Sequence, residues 1–287
     1  MANTTTTTLA AGIPAIVGQA IARAIDIPVL LQTCAVKTLR QGDGKTVKFP
    51  VLPASAGDFA DASEGSAFST TAYTPTSGTA TVVERGYALE ISDFAMSSST
   101  LTIDEIIAEL MAASYETDEK AIAATFTGFT ANAPVIGTMT VAKLFEADAL
   151  LASRVGNSAD LNREKVCALS NVQYSNLRGD IMVNKGANFI GTSPLNSTAN
   201  TGVINDLMGI KILGSGQISQ SGTSDPVGLL YVSGKTIGAA VASLPTVVFE
   251  RKALLPNGSI QGWIISVASR FGVCELRDTY GVQIQKV

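Results

Sequence analysis

The side chains best suited to chemistry in this 287-residue chain sit in patterns that complete no site. Histidine is absent. Ser-His-Asp and Cys-His nucleophiles and imidazole metal ligands are therefore excluded. Asp58, Asp61 and Glu64 share one segment, and paired carboxylates are what acid–base catalysis would need. Their neighbours are small and solvent-like, which fits a solvated loop rather than a tuned pair. Gly234-Lys235-Thr236 is like the end of a phosphate loop, a motif with four residues between its glycines. Five residues separate Gly228 from Gly234, and Gly228 opens an apolar strand, so the match fails. Gly214-Ser215-Gly216 lacks the third glycine of a dinucleotide fingerprint and reads as a turn. Cys34, Cys167 and Cys274 are odd in number, widely spaced and set among apolar neighbours. They read as packed thiols in a reducing cytoplasm, with no metal pattern or disulfide framework. Arg178-Gly179-Asp180 is a chance tripeptide at a helix end. Asn3, Asn196 and Asn257 head glycosylation triplets that mean little without secretion. The sequence thus assigns no catalytic, cofactor-binding or metal-binding residue.

Composition narrows the classes further. Hydrophobic residues make up 46% of the chain, ample for a core, and the length suits one or two domains. Charged residues make up only 15%, against a usual ~25%. A chain so poor in charge is weakly protected against self-association. The net charge is −4 and no basic run occurs, which argues against tight, sequence-specific nucleic-acid binding. The N-terminus carries no positive charge ahead of its apolar stretch, so no secretory signal is expected. Gln19, Arg23, Asp26 and Pro28 interrupt the apolar residues 9–31, and no membrane span is expected there.

The elements that would position these residues follow in order. Residues 1–12 form a polar arm. Pro14 opens a short helix with Ile13, Val17, Ala20, Ile21, Ala24 and Ile25 on one face, and it is too short to stand alone. Thr46 to Leu52 and Thr79 to Ile91 read as strands of a long hairpin. Between them, 54–78 is rich in small residues and free of Lys and Arg. Connections in compact domains usually run about 4–6 residues. Ordering costs roughly 1–2 kcal/mol per residue, more than Phe59, Phe68 and Tyr73 can offset alone, so this loop needs an external partner to become fixed. Thr102, with Glu105 three residues on, caps a helix of about 25 residues, roughly 37 Å long. Its apolar stripe is Ile103, Ile106, Ile107, Leu110 and Met111. Its polar face carries Asp104, Glu105, Glu109, Glu116, Asp118 and Glu119. A helix over 140–154 has Val141, Leu144, Phe145 and Leu151 on one face, interrupted by Asp148. A strand at Val166 to Leu169 precedes a capping box of Ser170 and Gln173. Strands follow at Ile210 to Leu213, Val227 to Val232, Thr246 to Leu255, Ser259 to Val267, Phe271 to Leu276 and Val282 to Val287.

This order of parts resembles the major capsid proteins of tailed bacteriophages with the Hong Kong 97-type fold. Local segments carry the same resemblance: Tyr87 to Asp93, Thr117 to Ala121, Ser170 to Leu177, Leu207 to Ile212, Phe271 to Val273 and Asp278 to Ile284. The resemblance implies an α+β fold with an N-terminal arm, an extended β-hairpin loop, a long spine helix and an α/β axial domain. It assigns 1–45 to the arm and short helix and 46–91 to the extension loop. It assigns 92–134 and 246–277 to a peripheral domain, and 135–245 and 278–287 to the axial domain. It further implies a non-enzymatic coat protein that self-assembles as pentamers and hexamers into an icosahedral shell around double-stranded phage DNA. Assembly is expected in the host bacterial cytoplasm, with no cofactor, metal or membrane. Phe59, Phe68, Tyr73, Ile13, Val17 and Ile21 are the expected inter-subunit contacts. The loop has no lysine for covalent cross-linking, since Lys45 and Lys48 lie at its base. The arm starts close to Met1, so a separate scaffolding protein is expected, together with portal and decoration proteins. An encapsulin-type compartment shares the implied fold and is the alternative. A secreted or surface β-protein and an enzyme of unknown type fit the sequence less well.

Overall fold

A computed structural model describes residues 29–40, 43–51, 76–98, 103–135, 137–155, 158–181, 204, 206–219, 226–253, 255–256 and 261–286. Its strands are β1 (Ala35–Thr38), β2 (Thr46–Val51), β3 (Thr76–Thr81), β4 (Val83–Ser92), β5 (Asn132–Val135), β6 (Lys165–Ser170), β7 (Asp206–Leu207), β8 (Ile210–Ser215), β9 (Pro226–Val232), β10 (Ile237–Lys252), β11 (Gly262–Glu275) and β12 (Gly281–Lys286). Its α-helices are α1 (Asp93–Ser98), α2 (Ile103–Ala124), α3 (Val141–Val155), α4 (Ser158–Leu161) and α5 (Asn171–Asp180). The strands form a six-stranded sheet ordered β5-β12-β9-β6-β8-β7, a four-stranded sheet ordered β1-β10-β11-β4, and the β2–β3 hairpin.

The six-stranded sheet is apolar on both faces, because both are covered. Successive residues point to opposite sides of a strand. Cys167 and Leu169 of β6 and Leu230 and Val232 of β9 therefore face Leu144, Leu151 and Leu177 of α3 and α5. Val166 and Ala168, with Leu229 and Tyr231, face the other way onto Ile122, Phe126, Phe129, Ile237 and Phe271. That second core joins the two sheets. Gly228 pairs with Leu169 at the end of the antiparallel β9–β6 ladder, and a Cβ there would meet the Ala168 carbonyl at 2.6 Å.

Two helices differ from the sequence expectation. In α3 the buried stripe is Val141, Leu144, Ala147, Leu151 and Val155, while Phe145 is exposed. Asp148 is tolerated because Lys165 of β6 meets it at 2.6 Å. In α5 the expected capping box does not form. Ser170 stands at the N-cap without a side-chain bond, and its buried hydroxyl has no partner among the described residues. Gln173 is buried and turns away, accepting from the Met139 N–H at 2.8 Å and donating to the Gly137 carbonyl at 3.3 Å. Asp180 accepts the Val141 N–H at 2.8 Å, so the Arg178-Gly179-Asp180 tripeptide is built into the fold.

The four-stranded sheet is longer than expected. β10 starts at Ile237 rather than Thr246, because Gly238 to Ala240 are small and the run Ile237 to Val241 is buried throughout with no alternating pattern. Pro245 sits where the β10–β11 register slips, the position a strand proline tolerates. β11 runs unbroken from Gly262 through Glu275 and absorbs the segment read as a separate strand at Phe271 to Leu276. β4 pairs with β11, so hairpin pairing is confined to 46–51 and 76–81. α2 lies on this sheet through Leu110, with Ile103, Ile106 and Ile107 packed against Ile91, Ile265 and Val267. Thr102 lies outside the described residues. Asp118 and Glu119, expected on the polar face of α2, are buried. The last turns of the helix run into the joint between the sheets, where both faces are covered.

The β2–β3 hairpin docks on the ends of β10 and β11. Phe49 is buried with Ala80 and Ala240. A Cβ at Gly78 would meet Leu276 Cδ2 at 2.8 Å and the Glu275 carbonyl at 2.9 Å, so only glycine permits this approach.

Candidate assembly surfaces

The ionisable groups of the described residues are largely engaged in internal joints. Asp160 accepts from Lys235 and, at 2.7 Å, from the Tyr280 hydroxyl. Those bonds hold its carboxyl below the usual range, against the opposing effect of burial. Lys235 of the failed phosphate-loop motif is thus already paired. Asp278 accepts from the Thr130 N–H at 2.6 Å and from Arg154 at 2.6 Å. Burial raises its pKa, but these bonds outweigh burial and the net shift is downward. Asp118 is raised by burial, with Arg85 at 3.6 Å and the Ser269 hydroxyl at 3.3 Å opposing. Glu275 is raised by burial and by the charge of Asp278. The thiols are shifted away from reactivity. Burial pushes Cys34 up to about 12 and Cys274 up to about 11, and it raises Cys167 as well. Among the described residues, no group of three or more Cys, Asp or Glu is arranged to hold a metal.

These shifts set a pH profile. Asp160 and Asp278 have depressed values, so their stabilisation is present above the unfolded value near 4 and is lost as pH falls through the folded one. Asp118 and Glu275 have raised values, so their contribution is present below the unfolded value and is lost as pH rises through the folded one. Thermal melts should therefore show a maximum near the unfolded carboxylate value of about 4, with stability falling on either side of it. A melting temperature that falls steadily from pH 7 downward contradicts this assignment.

The outer surface is built differently, from open strand edges and exposed apolar side chains. β4 pairs only with β11 along its length, and β1 covers β10 only over Gly238 to Val241. The remainder of β10 and the whole outer edge of β4 are unpaired among the described residues. Such edges are templates for another chain. Val83 and Tyr87 lie exposed on β4, and Leu244, Val248 and Phe249 on β10, each at least half exposed. Phe94 on α1 is 72% exposed, a high value for a large aromatic. Between α2 and β4 runs a groove of about 380 Å³, lined by Tyr87, Leu110, Ala113 and Val267 with Arg85. This surface suits association rather than catalysis. The contacts expected from sequence, Phe59, Phe68, Tyr73, Ile13, Val17 and Ile21, all lie outside the described residues. The open edges went unnoticed in the sequence because an edge is defined by which strand is missing beside it.

A hairpin docked on a four-stranded sheet with open edges, a long helix lying on that sheet and a six-stranded α/β unit together make the Hong Kong 97-type capsid fold. Individual solved structures agree with this. The capsid of cyanophage P-SCSP1u matches with a TM-score of 0.69 and 14% identity, over 96% of this chain and 93% of that one. The mature capsid of bacteriophage PhiM1 matches with a TM-score of 0.69 and 10% identity, over 96% and 92%. The capsid of an empty GTA particle matches at 0.67 and 14%, over 96% and 95%. No protein-family model and no curated protein sequence matches the chain.

Proposed function

We propose that this chain is the coat subunit of an icosahedral capsid that encloses double-stranded DNA, and that it is not an enzyme. One observation carries the reading: the fold is similar to capsid subunits from end to end, over 96% of this chain and 92–95% of theirs. In this reading the six-stranded sheet belongs to the axial domain, at the five-fold and six-fold positions. The four-stranded sheet and α2 belong to the peripheral domain, and 46–91 is the extension loop, whose returning strand β4 joins that sheet.

Assembly proceeds by one heterologous contact repeated until symmetry closes it. Burial contributes roughly 25 cal/mol per Å² of apolar area, and ordering the arm and the loop offsets much of that. Single contacts are therefore weak and reversible, which lets misplaced subunits leave. Phe59, Phe68, Tyr73, Ile13, Val17 and Ile21 become buried on neighbouring subunits. Pentamers and hexamers form in the host cytoplasm around a separate scaffolding protein, with portal and decoration proteins completing the virion. Particles purified from cells that assemble them should carry nuclease-protected double-stranded DNA. A co-purifying enzyme in place of nucleic acid contradicts this and supports a cargo compartment.

A further inference from the structure

Three adjoining grooves around β1 and β2 gather cations in a chain whose net charge is negative. Arg40, Lys45 and Arg270 line the first, of about 860 Å³. It shares Leu39 with a second, of about 500 Å³, lined by Lys37 and Lys48. Lys37 also lines a third, of about 370 Å³, with Lys235 and Arg277. Seven of the chain's 20 Lys and Arg thus line one continuous belt. The described carboxylates along it are Glu84 and Asp43, and both are committed. Glu84 holds Arg270 at 3.1 Å, and Asp43 accepts the backbone N–H of Arg40 at 2.8 Å. At the far end, Lys235 is paired with Asp160, and Arg277 lies over the Tyr280 ring at 5.0 Å. Lys37, Arg40, Lys45 and Lys48 are exposed, and their side chains have no ion-pair partner among the described residues. Lys37 donates to the Lys48 carbonyl at 3.0 Å, which holds the two sides of the belt together without neutralising either charge.

Like charges gathered in one place repel, so the belt is stabilised by an anion that spans it. Its extent along adjoining grooves suits a linear polyanion better than a compact one. Its composition suits phosphates better than protein. Lysine is depleted at protein interfaces, which anchor on aromatic side chains. The belt holds four lysines, and the exposed aromatics Tyr87, Phe94 and Phe249 lie outside it. The aromatic that does line it, Phe49, is buried with the Lys37 ammonium above its ring, so it offers no face for stacking a base. Contacts to phosphate position a protein on nucleic acid but carry no sequence information. We propose that this belt binds the phosphodiester backbone of double-stranded DNA without reading its sequence. The inference rests on the shell reading and adds the surface by which the subunit touches the DNA that the shell encloses. Each contact is weak and screened by salt, so packed DNA is held loosely and can leave.

Salt-dependent binding tests this. The full-length chain, purified without its scaffolding protein, is titrated onto a fluorescent duplex of about 30 base pairs and followed by anisotropy. Binding should be the same for unrelated sequences. The logarithm of the association constant should fall against the logarithm of salt concentration with a slope of about −3 to −4, as Lys37, Arg40, Lys45 and Lys48 imply. The pair Arg40→Gln and Lys45→Gln should make that slope shallower by about two and weaken binding about tenfold or more at about 50 mM salt. Lys48→Gln alone should make it shallower by about one. Both variants should keep the circular dichroism spectrum and, with scaffolding protein supplied, the particle yield of the unaltered chain. A chain that does not bind the duplex overturns the proposal, and so does a slope that neither variant changes. Lost particle yield with an unchanged slope means that the belt meets another protein surface, which also overturns it. An unaltered chain that binds DNA with the expected slope but forms no particles contradicts the shell reading and leaves the phosphate site standing.

Discussion

A chain lacking residues 56–76 is expected to fold and stay soluble but to form no closed shell. The deletion removes Phe59, Phe68 and Tyr73 together with Asp58, Asp61 and Glu64. It leaves Val51 and Ser77 joined by four residues, within the usual length of a hairpin loop. Pro50 still faces Ser77 in the pairing, and Phe49 stays buried at the base, so the hairpin keeps its anchor. Shortening the loop lowers its closure cost by about 1.6 kcal/mol, so the melting temperature should rise by only a few degrees. Assembly should respond far more strongly. Three aromatics bury about 150–250 Å² each, and even a net change of about 1.4 kcal/mol per contact is tenfold in an association constant. A shell repeats that contact at every subunit. Sedimentation should show the deleted chain as a small species where the full chain forms particles. Particles of normal size from the deleted chain would remove the loop from the mechanism.

Replacing Gln283 by Leu should cost about 3 kcal/mol, by leaving the buried Phe129 carbonyl without a donor and the Phe126 carbonyl with only the long bond from the Phe129 N–H at 3.5 Å. Gln283 is 4% exposed in β12. Its amide donates to the Phe126 carbonyl at 2.7 Å and the Phe129 carbonyl at 2.5 Å. These carbonyls belong to the turn that carries the chain from α2 into β5, so one side chain fastens the long helix to the six-stranded sheet. Leucine has similar volume and cannot donate. At about 2–4 °C per kcal/mol for a chain of this size, the melting temperature should fall by roughly 6–12 °C. An unchanged melt would mean that water or a shifted backbone satisfies those carbonyls, and the joint would then be less rigid than its hydrogen bonds imply.

Elements with a strong period of their own were legible in the sequence. α2, β6 and β9 lie within a few residues of their expected positions, since their apolar patterns depend on one buried face or two. The failures share a cause: tertiary neighbours redirected residues that looked locally committed. Gln173 has capping-box spacing from Ser170, yet it is drawn to the turn at Gly137. Phe145 is the largest apolar residue near the α3 stripe, but the small Ala147 fills the buried position instead. Asp118 and Glu119 look solvent-facing until a second sheet closes over them. The first half of β10 has no alternation, because Gly238 lets Phe49 and Leu276 approach the backbone. β1 and β5 are four-residue strands whose only described sheet partners come from the far end of the chain. The basic groove was half visible: Lys37, Arg40, Lys45 and Lys48 fall within twelve residues of a charge-poor chain. Arg270 joins them only through the fold.

The central claim is that many copies of this chain close into a shell, and electron microscopy of the chain purified from cells that also supply its scaffolding protein tests it most directly. The account predicts closed particles of uniform size with five-fold and six-fold clusters of subunits. A chain that remains monomeric in the images across salt and protein concentration would contradict it.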